Sequence, residues 1–319
     1  MPLQAFCQAH ACTLTSKGAC SYGKTMEQCK VILVSALKGG VGKTTISAGL
    51  ARALVSKGFK VGALDADYRT PNLHIALSCT GKPTRGKGDT VVPPQVDGIK
   101  VLSWSMIWPD DSAVMIEDSQ IEPEDLRHAV VLIKTGRTEA AIKYMTELAN
   151  HPGGASEHMR LLFEPGAIDW GDIDFLVIDT PPESTGTVRV VAESGGVFGG
   201  ILVCHPSKVS MADLRRTVDL FKKKEVPIIG VVSNQGSQNG VARYDLSDDD
   251  IIQFSKERGI PFITSIPHTT ELDSYLDKVA DFVMCCSPVV LKVKQVDESA
   301  VAEKLKSITK LVNLMEAFK

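Results

Sequence analysis

The stretch Lys38-Gly39-Gly40-Val41-Gly42-Lys43-Thr44-Thr45 constrains this chain more than any other. A run of strand formers, Val31-Ile32-Leu33-Val34-Ser35, precedes it. A helical pattern follows from Ile46 to Ser56, with apolar residues at Ile46, Leu50 and Leu54. Strand, glycine-rich turn and helix form the setting that a phosphate-binding loop requires. The glycines let the backbone curl until successive N–H groups face one anion, and the helix N-terminus adds partial positive charge. Gly39, Gly40, Val41 and Gly42 form the cradle. Lys43 reaches the β- and γ-phosphates, Thr44 carries the hydroxyl expected on Mg²⁺, and Thr45 closes the motif.

A chain of 319 residues that is 44% hydrophobic has enough apolar material for one large core. Its formal charge of −3 gives no general drive toward nucleic acid or an anionic membrane. No apolar run is long enough to span a bilayer, and residues 1–30 lack the apolar stretch of a secretory signal. The chain therefore reads as cytoplasmic. In that compartment its 8 cysteines suggest thiols or metal ligands before disulfides.

Residues 1–29 form a cysteine-bearing leader, and residues 30–319 form one α/β domain. Cys7, Cys12, Cys20 and Cys29 lie in the leader, with His10 between the first two. Their clustering suggests an iron–sulfur or zinc site, although the spacing matches neither a zinc knuckle nor a ferredoxin run. The second strand, Lys60 to Leu64, ends at Asp65-Ala66-Asp67-Tyr68-Arg69-Thr70-Pro71. Carboxylates at the carboxyl end of a parallel strand sit where ligands bind. One of Asp65 and Asp67 can steady a water on Mg²⁺ while the other orients the attacking water, and we assign the metal-bound water to Asp65 and the attacking water to Asp67. Residues 78–96 read as a loop, and residues 122–148 read as two helices broken at Gly136. Further strands are expected at Phe175–Ile178, Gly199–Cys204, Val226–Asn234 and Pro261–Pro267. Helices are expected at Met211–Lys223 and Ser299–Phe318. Strands alternating with helices behind a phosphate loop predict a doubly wound, mostly parallel sheet with helices on both faces.

The loop carries an extra lysine, Lys38, that the cradle itself does not need. K-G-G-x-G-K-T-T resembles the deviant Walker A motif of the ParA/MinD superfamily. Asp65-Ala66-Asp67 with Pro71, Asp97-Gly98-Ile99-Lys100-Val101-Leu102-Ser103, and Asp169-Trp170 through Asp179-Thr180-Pro181-Pro182 are similar to motifs of the Mrp/ApbC family within it. The matches cover most of residues 30–285. The resemblance implies Mg²⁺-dependent, slow ATP hydrolysis by a homodimeric switch. It implies that Lys38 reaches the partner's phosphates and that Asp179 is the Walker B carboxylate, holding Mg²⁺ through a water. It also implies that Asn234 contacts adenine and Pro267 packs on it. The family's output, iron–sulfur cluster assembly or transfer to a client apo-metalloprotein, is then the leading expectation, with a [4Fe-4S] cluster as cargo.

Two departures bear on that output. Glu183-Ser184-Thr185-Gly186-Thr187 stands where the family has G-T-G-D, at the switch that couples nucleotide to partner. Gln235 to Asp250 holds no cysteine, although the family carries a cluster-bridging C-P-x-C there. The leader cysteines, or Cys285-Cys286, can compensate; the other reading of Cys285-Cys286 is buried apolar thiols near a core strand. Cys79 and Cys204 read as structural. Two other loads stay open: insertion of a metal such as nickel into another enzyme, and a metal-free positioning role of the MinD/ParA type. The amphipathic segment 299–318 reads as a helix covering the sheet rather than a membrane anchor.

Overall fold

The computed structural model describes residues 29–67, 70–86, 90–107, 167–182, 185–194, 197–236 and 244–289. Cys7, Cys12 and Cys20, the helices expected in 122–148, the segment from His151 to Pro165, which is longer than the pattern of the family the sequence resembles, and the helix expected at 299–318 lie outside the described residues. In chain order the described elements are β1 (Lys30–Ser35), α1 (Lys43–Ser56), β2 (Val61–Asp65), α2 (Leu73–Ala76), β3 (Thr84–Arg85), β4 (Val91–Val92), β5 (Gln95–Val96), β6 (Ile99–Ser103) and α3 (Trp104–Ile107). There follow β7 (Phe175–Asp179), α4 (Thr185–Ser194), β8 (Val197–Cys204), α5 (Lys208–Lys223), β9 (Ile228–Gly236), α6 (Asp248–Arg258), β10 (Phe262–Pro267) and α7 (Asp273–Cys285).

Eight strands form one sheet in the order β10-β9-β8-β1-β7-β2-β6-β5. Every pairing in it is parallel except that of the short edge strand β5 with β6. The central strands are apolar at nearly every position because both of their faces are covered. Alternate residues serve alternate faces. Ile32, Val34, Val61, Ala63, Phe175, Val177, Ile201 and Val203 join one core with Ile46, Leu50 and Leu54 of α1 and Leu276, Val279 and Val283 of α7. Leu33, Leu64, Leu176, Ile178, Leu202 and Cys204 join the other with Val188 and Val191 of α4, Leu214, Val218 and Phe221 of α5, and Ile251 and Phe254 of α6.

Helix α1 packs against α7 at Gly49. A Cβ added at Gly49 would lie 2.0 Å from a methyl of Leu276, so only glycine permits this approach. Helix α1 also begins at Lys43, earlier than the expected Ile46, because Gly42 at φ 94° caps it in the left-handed region and lets the turn run straight into the helix. The stretch expected as a loop at 78–96 contains the β3–β4 antiparallel pair and β5. Its turn-rich composition hides strands only two residues long. Helices α2, α3, α4, α6 and α7 are present in addition to the expected elements.

Parallel order brings the carboxyl ends of β1, β7, β2, β8 and β9 to one edge. The register sets Asp65 of β2 directly beside Asp179 of β7, and Asp179 beside Val34 of β1. The phosphate-loop sequence leaves β1 at that same edge.

Candidate functional site

The loop between β1 and α1 has the backbone its glycines predict. Gly40 and Gly42 adopt φ 74° and 94°, conformations that cost other residues about 1 kcal/mol or more. Lys43 is buried, and its Nζ donates to the Lys38 carbonyl at 3.2 Å. Burial lowers the Lys43 pKa, and the Asp179 and Asp67 carboxylates oppose that shift. An ammonium held this way in a concave loop is poised to exchange one backbone acceptor for phosphate oxygens.

Asp179 is fixed at both oxygens. Thr44 Oγ1 donates to Oδ2 at 2.6 Å. Ser47 Oγ lies 3.1 Å from Oδ1 and 2.9 Å from the Lys43 carbonyl, sharing one proton between them. Positions 43, 44 and 47 fall on one face of α1, so the helix that carries the phosphate lysine also grips the carboxylate. Ser47 is absent from the residues that motif spacing picks out. Its one signal is a hydroxyl on a helix that is otherwise apolar at Ile46, Leu50 and Leu54.

Asp65 is fully buried and bonded on both oxygens: Oδ1 accepts from the Asp67 amide at 3.0 Å, and Oδ2 from the Leu73 amide at 2.9 Å and Ser103 Oγ at 3.2 Å. It thereby ties the Asp67 and Leu73 amides to the sheet edge. Asp67 accepts from the Thr70 amide at 3.1 Å and from Thr70 Oγ1 at 3.0 Å. Tyr68 and Arg69, between them, lie outside the described residues.

Burial pushes Asp65 up to about 8, with the adjacent Asp179 charge adding to the shift. Burial likewise pushes Asp179 up to about 6, against the hydrogen bonds from Thr44 and Ser47. Charge on these buried, adjacent carboxylates is therefore costly in the empty protein. Hydroxyl and carboxylate oxygens are the donors Mg²⁺ prefers, and a divalent cation beside them would offset that cost. Among the described residues no three His, Cys, Asp or Glu side chains converge as a metal site. The set thus suits an ion held by one hydroxyl, substrate phosphates and water-bridged carboxylates.

The two raised carboxyl groups give a pH prediction. A carboxyl raised in the folded state keeps its proton longer than in the unfolded chain. Its stability contribution is complete below the ordinary carboxylate range and is lost as pH rises through about 6 for Asp179 and about 8 for Asp65. The ligand-free protein is expected to melt at progressively lower temperature from about pH 5 to about pH 8.5. Mg²⁺ and ADP are expected to flatten that slope, because binding neutralises the same charges. A melting temperature that rises over this range without ligand would contradict the assignment.

Asn234 lies near the end of β9, and its Nδ2 donates to the Val41 carbonyl at 2.8 Å. Pro267 ends β10, two strands from β1's neighbour β8. Lys38 is half-buried at the start of the loop. Glu183 and Ser184 lie outside the described residues.

The described cysteines form no cluster. Cys29 is half-buried, and burial, then the Asp174 charge, push its thiol up to about 11. Cys285 and Cys286 are buried at the end of helix α7, where Cys286 joins the core that β1 lines. Burial pushes Cys286 up to about 12, and its Sγ donates to the Val283 carbonyl at 3.5 Å. Cys79 and Cys204 are also buried, and burial raises both thiols. The buried thiols of Cys79, Cys204 and Cys286, raised in this way, are poor metal ligands at neutral pH, whereas Cys29 is only half-buried and a bound metal ion would itself draw off its proton.

A family model described as ParA, the NUBPL iron-transfer P-loop NTPase, matches residues 27–123 and 157–309. The iron–sulfur cluster carrier protein of Aquifex aeolicus is 28% identical over 289 residues, covering 89% of this chain and 67% of that protein. The carrier protein of Rickettsia conorii is 28% identical over 250 residues, 78% of this chain and 64% of its own length. The iron–sulfur cluster transfer protein NUBPL of Dictyostelium discoideum is 27% identical over 243 residues, 74% of this chain and 64% of that protein. The chain thus spans about two thirds of the length of these relatives. Among solved structures, a nucleotide-binding protein in complex with ADP from Archaeoglobus fulgidus superposes with a TM-score of 0.54 at 23% identity, over 80% of this chain and 87% of that one. The septum site-determining protein MinD with Mg-ADP from Pyrococcus horikoshii does so with a TM-score of 0.50 at 19% identity, over 81% and 94%. Both share the fold.

Proposed function

This chain belongs to the ParA family, as a NUBPL iron-transfer P-loop NTPase, and on that premise we propose that it is a Mg²⁺-dependent ATPase switch that carries an iron–sulfur cluster to apo-protein clients. The observation that carries the reading is the clasp of Asp179 by Thr44 and Ser47 beside Lys43, at the edge where the phosphate loop opens. Thr44 and Asp179 would hold Mg²⁺, which supplies charge neutralisation across the β- and γ-phosphates. The amides of Gly39 to Thr45 bind the phosphates, and Lys43 leaves the Lys38 carbonyl to join them. Asp65 accepts from the Asp67 amide and so positions Asp67, which orients the attacking water. Pro267 borders the base. Lys38 acts across a homodimer, adding positive charge as the terminal phosphate departs.

Hydrolysis in this arrangement sets dimer geometry rather than driving rapid turnover. The cluster is cargo, not a resident cofactor, and the thiols that take it are proposed to be Cys7, Cys12, Cys20 and Cys29. The segment Gln235–Asp250, without a cysteine, cannot supply them. The proposed place of work is the cytoplasm, where reduced thiols and apo-protein clients are both at hand. No helix among the described residues is long and apolar enough to cross a membrane.

The test is metal and sulfide analysis with an absorption spectrum on protein purified without oxygen. Iron and sulfide in comparable amounts, with absorbance at about 400 nm from thiolate-bound clusters, are expected. They should be lost when the four leader cysteines become serine, while ATP hydrolysis survives. A protein that hydrolyses ATP but stays metal-free after reconstitution would keep the ATPase assignment and remove the cargo. Nickel without sulfide would point instead to metal insertion into another enzyme.

A further inference from the structure

We infer that Asp248 is a positioning residue for the nucleotide base, acting through the irregular end of β9. This rests on the reading that places Asn234 and Pro267 at the base. The Asp248 carboxylate spans two strands. Its Oδ1 accepts from Ser233 Oγ at 2.6 Å, and its Oδ2 accepts from Ser265 Oγ at 2.6 Å. Hydroxyl–carboxylate bonds this short are charge-assisted and about twice as strong as neutral ones. Ser233 of β9 and Ser265 of β10 stand opposite each other in the parallel register. One carboxylate thus clamps one rung of the sheet.

That rung lies where the register changes. Ile266 pairs with Asn234 on the next rung, but Pro267 pairs with Gly236. Gln235 is therefore an extra residue in β9, and it adopts φ 56°. Such a bulge bends its strand and re-aims the side chains beside it. Here those side chains are Asn234 and, across the slip, Pro267. Asp248 reaches past the bulge as well. A Cβ added at Gly236 would lie 2.6 Å from its Oδ2, so glycine is what admits the carboxylate. Tyr244 Oη holds Gln235 itself, donating to its Oε1 at 3.0 Å.

The Asp248 carboxylate does not cap its own helix. Ser247 Oγ accepts from the Asp250 amide at 3.4 Å, and Asp250 Oδ2 accepts from the Ser247 amide at 2.8 Å, which closes the capping box of α6. Asp248 is left to the strands. Successive residues of a strand face opposite sides. Ser233 turns toward α6, and Asn234 turns toward the phosphate loop, where its Nδ2 donates to the Val41 carbonyl at 2.8 Å. An asparagine amide has a second N–H and an oxygen with which to meet a base. Asp248 therefore fixes Asn234 and Pro267 from behind the sheet, without meeting the nucleotide.

The experiment measures binding of MgATP and of magnesium tripolyphosphate by calorimetry, for the full chain and for Asp248→Ala and Asp248→Asn. Asp248→Ala is expected to weaken MgATP binding about tenfold. Tripolyphosphate, held by the loop between β1 and α1, should stay within about twofold of its affinity for the unaltered chain. Asp248→Asn should recover most of the MgATP affinity, because its amide can accept from one serine and donate to the other. An equal loss for both ligands, or no loss for either, would overturn the inference. If Asp248→Ala does not fold, Ser265→Ala, which removes one side of the clamp, carries the same expected split. An unaltered chain that binds MgATP no more tightly than tripolyphosphate would remove the base pocket, and the inference with it.

Discussion

Lys38→Ala is expected to lower kcat for ATP hydrolysis by about 10³-fold and to leave nucleotide affinity close to that of the unaltered chain. The contact Lys38 makes within its own loop comes from its backbone, since its carbonyl accepts from Lys43 Nζ. Alanine keeps that carbonyl, so the ligand-free loop should hold its shape. What is lost is a half-buried ammonium at the loop entrance, proposed to meet the partner's transferring phosphate. The arrangement in trans has its own signature. Lys43→Ala is also expected to be inactive, because it removes the phosphate lysine in cis. In a mixed dimer, the Lys38→Ala protomer has an intact Lys43 and receives Lys38 from its Lys43→Ala partner. Mixing the two inactive variants should therefore restore part of the activity. If each stays inactive after subunit exchange, Lys38 works within its own chain or not at all.

The sheet is legible in the sequence because its central strands are covered on both faces. Val31 to Ser35 and Phe175 to Asp179 are nearly uninterrupted runs of β-formers, short and bounded by polar turns, as strands buried on both faces must be. The glycine loop is legible for a different reason: its chemistry fixes the spacing of its residues. The short helices and strands are harder. β3, β4 and β5 are two residues each, too short to show a period. Helix α7 does carry a readable stripe at Leu276, Val279, Ala280 and Val283. The cysteine pair at its end draws the eye toward metal chemistry instead.

Long-range partners are not legible. Asp65 looks like half of a carboxylate pair in D-A-D. In the folded chain its oxygens are taken by amides 2 and 8 residues on and by a hydroxyl 38 residues on. Its neighbour Asp67 is left nearer the opening, 9% exposed. Asn234 reads as a base contact from its place in a motif. Its bond to Val41, 193 residues away, depends on how β9 ends. Motif spacing reveals which residues take part in a site, whereas the hydrogen bonds each one has already made decide what it is free to do.

Asp179→Asn separates stability from activity, with opposite expected signs. At about pH 8 the carboxylate is charged, yet burial favours its neutral form, with a folded-state value of about 6. Asparagine has the same shape without the charge. Its oxygen can accept from one of the two hydroxyls that grip Asp179, and its amide can donate to the other, because the hydroxyls of Thr44 and Ser47 rotate. The change also removes a charge that pushes Asp65 upward. Ligand-free Asp179→Asn is therefore expected to melt higher than the unaltered chain at about pH 8, by on the order of 5 °C. The gap should close by about pH 5, where Asp179 in the unaltered chain holds its proton. Hydrolysis should fall about 100-fold, the upper range for loss of a group that orients metal ligands. The stabilisation by MgADP should shrink with it, since the neutral side chain no longer attracts the cation. The pairing of a gain in melting temperature with a loss of turnover marks a group kept charged for its ligand at a cost to the empty fold. A ligand-free variant that melts below the unaltered chain at that alkaline pH would mean that the two hydroxyls hold Asp179 for the fold rather than for the chemistry.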